Sequence, residues 1–359
     1  MSRLSRRQIV FAGMATAAAT ALAACAPASP PTAVPPTAAP KPTAAPAVAP
    51  TSAPAVALAT APAAPAKPTD VPKPTAALAV VTTAPAAASK PAASSGNILN
   101  LALVPSENAA EQARQFGDFF KWMEKKLDLT IKSYLATDYT GVIEAMRGKH
   151  VDVAWFGPFS YVLAAQEAGA EALVIPASAT GDKTYFSYII TRVDTGINKL
   201  EDLKGKSFSF GDPASASGHL IPRYNLQKAG IMPDKDFKSV VFSGAHDATG
   251  LAIANGKVDA GAIWDLAYIR LIEQKLIDET KMKIVAKSDP IPEGPWAVRK
   301  DVNADLKKRF TDTLLVAGTE VPDLLKPIKY AKFVSVLDSD YDVMRETAKI
   351  LNLDIKKLK

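Results

Sequence analysis

Ala26 to Asn97 is a stretch of 72 residues that holds 17 of the chain's 28 prolines and no Phe, Trp or Tyr. Such a segment cannot bury enough apolar surface to offset the entropy lost on ordering, and its prolines bias it towards polyproline II. Any packed fold is therefore confined to Ile98–Lys359, whose 262 residues suit two lobes with cores of their own. At about 3.1 Å per residue the tract spans at most on the order of 220 Å, so it reads as a semi-rigid spacer.

Ahead of the spacer, Arg3, Arg6 and Arg7 introduce an apolar run of 16 residues, Ile9 to Ala24. That is short for a membrane span and typical of an export signal. Leu22-Ala23-Ala24-Cys25 resembles the lipobox of bacterial lipoproteins, which implies that Cys25 is lipidated and becomes the first residue of the mature chain. Signal cleavage elsewhere, leaving Cys25 unmodified, is the alternative. Ser5-Arg6-Arg7 resembles a twin-arginine signal, but Ile9 stands where such signals prefer Phe, so both export routes stay open. Cys25 is the only cysteine, which excludes an intrachain disulfide and leaves no thiol for metal binding or catalysis. The expected order is thus a signal at 1–24, a tether at 25–97, and a folded body held at a membrane surface but not embedded in it.

The formal net charge of +6 invites a nucleic-acid partner, but the charge sits outside the folded part. Signal and spacer hold seven Lys/Arg against Asp70 alone, and from Ile98 onward 35 basic residues face 35 acidic ones. With no basic patch, no nucleic-acid partner is expected.

From Ile98 onward, strand and helix patterns alternate. Ile98–Val104, Leu129–Leu135 and Val151–Phe156 read as strands, and Glu107–Leu127, Thr140–Arg147 and Phe159–Ala168 as helices. This predicts an α/β fold of parallel sheets with helices on both faces and ligands at the carboxyl ends of strands. Glu171–Arg192 reads as two strands around Thr180-Gly181-Asp182, the second long enough to cross into another lobe. Strands at Ser239–Phe242, Val258–Ile263 and Lys283–Lys287 and a helix at His246–Asn255 continue there. Gly148-Lys149 and Val151-Asp152 recur as Gly256-Lys257 and Val258-Asp259, a short echo consistent with two similar halves. Helices Asn303–Ala317 and Tyr341–Leu351 then return to the first lobe. The expected lobes are 98–191 with 289–359, and 192–288, joined by crossings near 192 and 288 that act as a hinge.

Asp212–Arg223, DPASASGHLIPR, follows the short apolar run Ser207–Phe210 and enters a helix that ends at Gly230. Small residues let an anion approach the backbone, while a helix start offers unpaired N–H groups. The hydroxyls of Ser215 and Ser217, the open backbone at Gly218 and a ring nitrogen of His219 would cradle an oxyanion without lysine. A serine-rich helix cap is the plainer reading of the same residues.

Six segments then bear a resemblance in order and spacing: ATDYTGVIEAM at 136–146, VDVAWFGPFSYVLA at 151–164, DLKGKSFSFGDPASASGHLIPR at 202–223, VVFSGAHDA at 240–248, ANGKVDAGA at 254–262 and SDPIPEGPWAVR at 288–299. The chain resembles the PhnD-like solute-binding proteins of phosphonate, phosphite or phosphate ABC importers. The resemblance implies a type II periplasmic-binding-protein fold of two Rossmann-like lobes, a monomer with no cofactor or metal, and an ABC permease as partner. It also implies ligand contacts at Tyr139, Tyr161, Ser187, Ser217, His219, Asp247 and Asp265. At Ser187 the neighbouring Tyr188 offers a second hydroxyl. Ala216 departs from the hydroxyl residue that relatives place there.

Carboxylates beside an anion make sense if they accept a P–OH or an ammonium of the ligand, so Asp247 and Asp265 would discriminate against fully ionised sulfate. Asp247 reads equally as a helix-start residue. Tyr139, Tyr161 and Trp264 suit the wall of an organic group or a cation, or a core at strand ends. Among three histidines, His150 reads as a surface residue, His246 as a helix cap and His219 as the ligand donor. An enzyme is disfavoured by the lack of a nucleophile elbow or metal-ligand spacing. A tethered sensor that signals to a membrane receptor stays open.

Overall fold

The computed structural model describes residues 97–353. The expected signal, Cys25 and the tether up to residue 96 lie outside them. β1 (Ile98–Leu103) leads into α1 (Ala109–Leu127), followed by β2 (Thr130–Tyr134), α2 (Tyr139–Arg147), β3 (Val153–Trp155), α3 (Pro158–Ala168) and β4 (Ala170–Ala177). The chain crosses through β5 (Thr184–Tyr185) to β6 (Ser187–Arg192), β7 (Ser207–Phe210), α4 (Ile221–Lys228), the single turn α5 (Pro233–Asp236), β8 (Ser239–Phe242), α6 (His246–Ala254), β9 (Ala260–Trp264), α7 (Asp265–Glu273) and β10 (Met282–Lys287). It returns through β11 (Ile291–Pro292) to β12 (Trp296–Arg299), α8 (Ala304–Glu320), the turn α9 (Pro322–Leu325), β13 (Lys332–Ser335) and α10 (Asp342–Ile350).

Two sheets result. The first has the order β13-β4-β12-β3-β1-β2 and the second β10-β6-β9-β7-β8, while β5 and β11 pair with each other as the two crossing strands. The parallel sheets expected from the alternation are instead mixed. β1, β2 and β3 are parallel, but β12 runs antiparallel between β3 and β4, and β6 runs antiparallel to β9. A strand that enters a lobe from the crossing must start at the cleft and run away from it, opposite to strands whose carboxyl ends face the cleft. That constraint reverses β6 and β12.

The first crossing also lies earlier than residue 192. Ser187–Arg192 is hydrogen-bonded to β9 and β10, so it belongs to the second sheet, and Phe186 breaks the long strand expected from Tyr185. β12 and β13 were not expected at all. Each spans four residues, and β12 follows Pro295 directly.

α1 shows why its residues form a helix. Asn108 caps it by accepting the Glu111 N–H at 3.0 Å, and Phe116, Phe119, Met123 and Leu127 recur at three- and four-residue spacing to bury one face. Phe116 meets Trp296 edge-on with ring centroids 6.4 Å apart, and Trp296 is fully buried and stacked on Trp155 with centroids 6.0 Å apart. Truncating so large a core residue costs about 3–5 kcal/mol in typical cores, so β12 is anchored by its first residue.

Candidate functional site

The cavity lies where carboxyl ends of strands from both sheets meet, as open α/β sheets favour. From the first lobe, Val104 and Ser106 follow β1, Tyr139 opens α2, and Trp155–Pro158 span the end of β3 and the start of α3. The second lobe contributes Ser215, Ala216 and Ser217 after β7, His246 at the start of α6 and Trp264 at the end of β9. Tyr185, Glu293 and Gly294 come from the crossings, and together these residues enclose about 50 Å3. No lysine or arginine is among them. Among the described residues no His/Cys/Asp/Glu cluster suits a metal.

The loop after β7 enters α4 through one π-helical turn, Ala216–Leu220. Ser215 Oγ accepts the Gly218 N–H at 3.0 Å, and Gly218 O accepts the Gly211 N–H at 2.9 Å. A Cβ on Gly218 would stand 3.1 Å from Gly211 Cα and from His246 Cε1, so the backbones approach as only glycine allows. Gly218 thus shapes the cradle while its N–H is already engaged. Tyr139 and Tyr185 share the cavity wall with Ser215 and Ser217, so this loop faces the opposite lobe and the crossing. Ser187 lies beneath, donating its hydroxyl to Ser217 O at 2.6 Å.

The structure places the two histidines differently from expectation. His219 donates from Nδ1 to Pro213 O at 2.8 Å, accepts Arg223 Nε–H at Nε2 at 3.0 Å, and is flanked by Phe210 and Phe242. Both nitrogens are committed and the ring is outside the cavity lining, so His219 is not the oxyanion donor expected from its neighbour Ser217. His246 lines the cavity instead. Its Nδ1 accepts the Trp264 N–H at 3.1 Å, which places the proton on Nε2, a donor without a partner among the described residues. Burial pushes both histidines down to about 4, so each is neutral at physiological pH.

Other expected contacts are displaced as well. Tyr161 donates to Asp338 at 2.6 Å and packs on Tyr341 with centroids 4.7 Å apart, within the first lobe. Tyr188 sits edge-on to Tyr268. Asp265 receives the Leu266 N–H at the start of α7 and does not line the cavity. Asp247 accepts Asn108 N–H at 3.0 Å and Asn108 Nδ2–H at 2.8 Å, so it ties the lobes together. Asp212 acts likewise, accepting Tyr139 N–H at 3.2 Å, and His246 N–H reaches Ser106 O at 2.9 Å.

A carboxylate does line the cavity, but it is Glu293. Its Oε2 accepts the Tyr330 hydroxyl at 2.9 Å, its carbonyl accepts the Tyr341 hydroxyl at 3.0 Å, and burial pushes its pKa up to about 8. Beside it, a Cβ on Gly294 would fall 2.0 Å from Phe156 O, so this loop meets the end of β3 backbone to backbone. Trp264 adds an indole N–H that is buried and has no acceptor among the described residues. Sequence reasoning passed over Glu293 because DPIPEGPW has no periodicity. Its place inside a family-like segment was the available signal.

Residues 101–341 match the family described as ABC transporter, phosphonate, periplasmic substrate-binding protein, and the chain belongs to that family. It is 31% identical over 258 residues to the phosphonates-binding periplasmic protein of Escherichia coli, covering 70% of this chain and 75% of that one. It is also 31% identical over 278 residues to the phosphate-import protein PhnD of Mycolicibacterium smegmatis, covering 70% and 85%. A crystal structure of a binding protein of an ABC phosphonate transporter from Pseudomonas aeruginosa superposes with a TM-score of 0.68 at 27% identity, over 71% of this chain and 87% of that one. The fold is that of the periplasmic binding proteins, as the six segments implied.

Proposed function

We infer that this protein captures a small phosphorus oxyanion, a phosphonate, phosphite or phosphate, between its lobes outside the cytoplasm and delivers it to the permease of an ABC importer. One observation carries the reading. Hydroxyls and neutral N–H groups from both lobes and both crossings converge on a single small cavity at the strand ends. Tyr139, Ser215, Ser217, His246 Nε2 and Trp264 Nε1 supply donors of the kind that a ligand rich in oxygen atoms needs. Glu293 can donate while protonated and accept a P–OH once ionised. About 50 Å3 is room for roughly three to five water positions at about 10–15 Å3 each, which favours phosphite, phosphate or a one-carbon phosphonate over longer substituents.

The lobe-to-lobe bonds Asn108–Asp247, Tyr139–Asp212 and Ser106–His246 support a closed form that ligand selects from an open one. The family is one of solute-binding proteins, and the ligand is taken to leave chemically unchanged. The cavity is complete within one chain, which supports a monomer. The basic start and LAAC support lipidation of Cys25, so Cys25→Ser should release the protein from membranes into the soluble fraction. Retention on the membrane would refute the anchor.

A calorimetric panel of methylphosphonate, phosphite, phosphate, 2-aminoethylphosphonate and sulfate tests the ligand class. Binding of one of the three small phosphorus probes, with sulfate and the longer phosphonate much weaker, is the expected result. Failure of every phosphorus probe would refute the oxyanion reading.

A further inference from the structure

The cavity that would hold an anion has no cationic side chain in its wall, yet a buried cation stands directly behind that wall. The Arg270 guanidinium lies over the Trp264 ring, 4.7 Å from its centroid, with 6% of its side chain exposed. Its Nη2 is buried and has no hydrogen-bond partner among the described residues, and its Nε is 3.4 Å from Leu266 O. Among the described residues the one carboxylate paired with it is Glu107 of the opposite lobe, at 3.2 Å, itself held by Gln115. A buried guanidinium with an unsatisfied N–H and a single counter-ion is costly unless further negative charge arrives.

We propose that Arg270 is the charge-balancing and positioning residue for the bound anion, acting through the Trp264 ring that it holds against the cavity, with Glu107 as the counter-ion it meets when the lobes close. This rests on the oxyanion reading of the cavity. Arg270 already exerts a Coulombic pull on two groups of the wall, Glu293 and His246, so its field reaches the place the ligand would occupy. Burial holds the Glu107 carboxyl above its ordinary value despite Arg270. A cation behind an aromatic screen adds long-range attraction without competing for the ligand's oxygens, which the hydroxyl and N–H donors take up.

The test compares methylphosphonate affinity of the full protein with that of Arg270→Gln, Arg270→Lys and the Arg270→Gln/Glu107→Gln pair, which leaves no unpaired buried carboxylate. Each is measured below and above the second ionisation of the probe. A charge acting across one ring at an effective dielectric of about 20 predicts that Arg270→Gln weakens binding about tenfold for each unit of ligand charge, and that the pair, which also removes the negative charge of Glu107, weakens it less. The loss therefore grows when the probe becomes a dianion, and Arg270→Lys recovers most of it. A loss that is the same for monoanion and dianion, and that Lys does not rescue, would reduce Arg270 to packing support for Trp264 and overturn the proposal. So would a double variant that binds more weakly than Arg270→Gln alone. If the unaltered protein binds no phosphorus oxyanion, the reading of the cavity has failed, an outcome distinct from failure of Arg270.

Discussion

Replacing Glu293 by Gln should remove most of the pH dependence of stability between pH 6.5 and 8. Burial raises this carboxyl from an ordinary 4.5 to about 8, and the Tyr330 hydrogen bond only partly counters it. In that range the folded state keeps a proton that the unfolded chain has released, so stability falls as pH rises. The stabilising contribution is complete below about pH 4.5 and gone above about pH 8. One such group has a slope of at most about 1.4 kcal/mol per pH unit, hence about 2 kcal/mol over the window. Three other buried groups titrate lower. His219 and His246, pushed from 6.5 to about 4, make stability rise between those values, and Asp212, raised from 3.8 to about 6, makes it fall only up to about pH 6. Urea unfolding followed by tryptophan fluorescence, at half-unit steps for wild type and Glu293→Gln, isolates the effect as a difference curve. A difference flat to within about 0.5 kcal/mol from pH 6.5 to 8 would show that Glu293 is not held protonated by burial.

Two further substitutions probe the site and its closure. His246→Ala should weaken methylphosphonate at least tenfold by calorimetry, whereas His219→Ala should leave affinity within threefold and cost about 1–3 kcal/mol of stability by stranding Arg223 Nε and Pro213 O; the reverse pattern would return His219 to the site. Asp247→Ala removes two hydrogen bonds between the lobes, worth about 1–2 kcal/mol together at an exposed position, so release in stopped flow should quicken about five- to thirtyfold, and an unchanged rate would mean that Asp247 does not hold the closed form.

The alternation of strands and helices was legible because amphipathic spacing such as Phe116, Phe119, Met123 and Leu127 is a local property of the chain. So were the cradle loop and its glycine, since small residues after a short strand carry their own geometric meaning. The reversal of β6 and β12 was not legible, because strand direction depends on which lobe the chain enters and from which side. Nor were β12 and β13, four residues each, which are held in place by pairing with β3 and β4.

By itself, then, the sequence determined where a core can form, the α/β class, the family, and the loop after Ser207–Phe210, whose Ser215, Ala216 and Ser217 line the cavity. Only the tertiary structure decided which polar groups face the cavity. His219 and His246 are both histidines at helix starts, and only packing shows that Pro213 and Arg223 occupy one while the other keeps a free N–H. Asp247, in the first turn of α6, and Glu293, in the return crossing, are both acids, yet one meets Asn108 across the cleft and the other is buried beside Tyr330. The physical reason is the same in each case. A side chain's role depends on whether its hydrogen bonds are already taken, and residues distant in sequence take them.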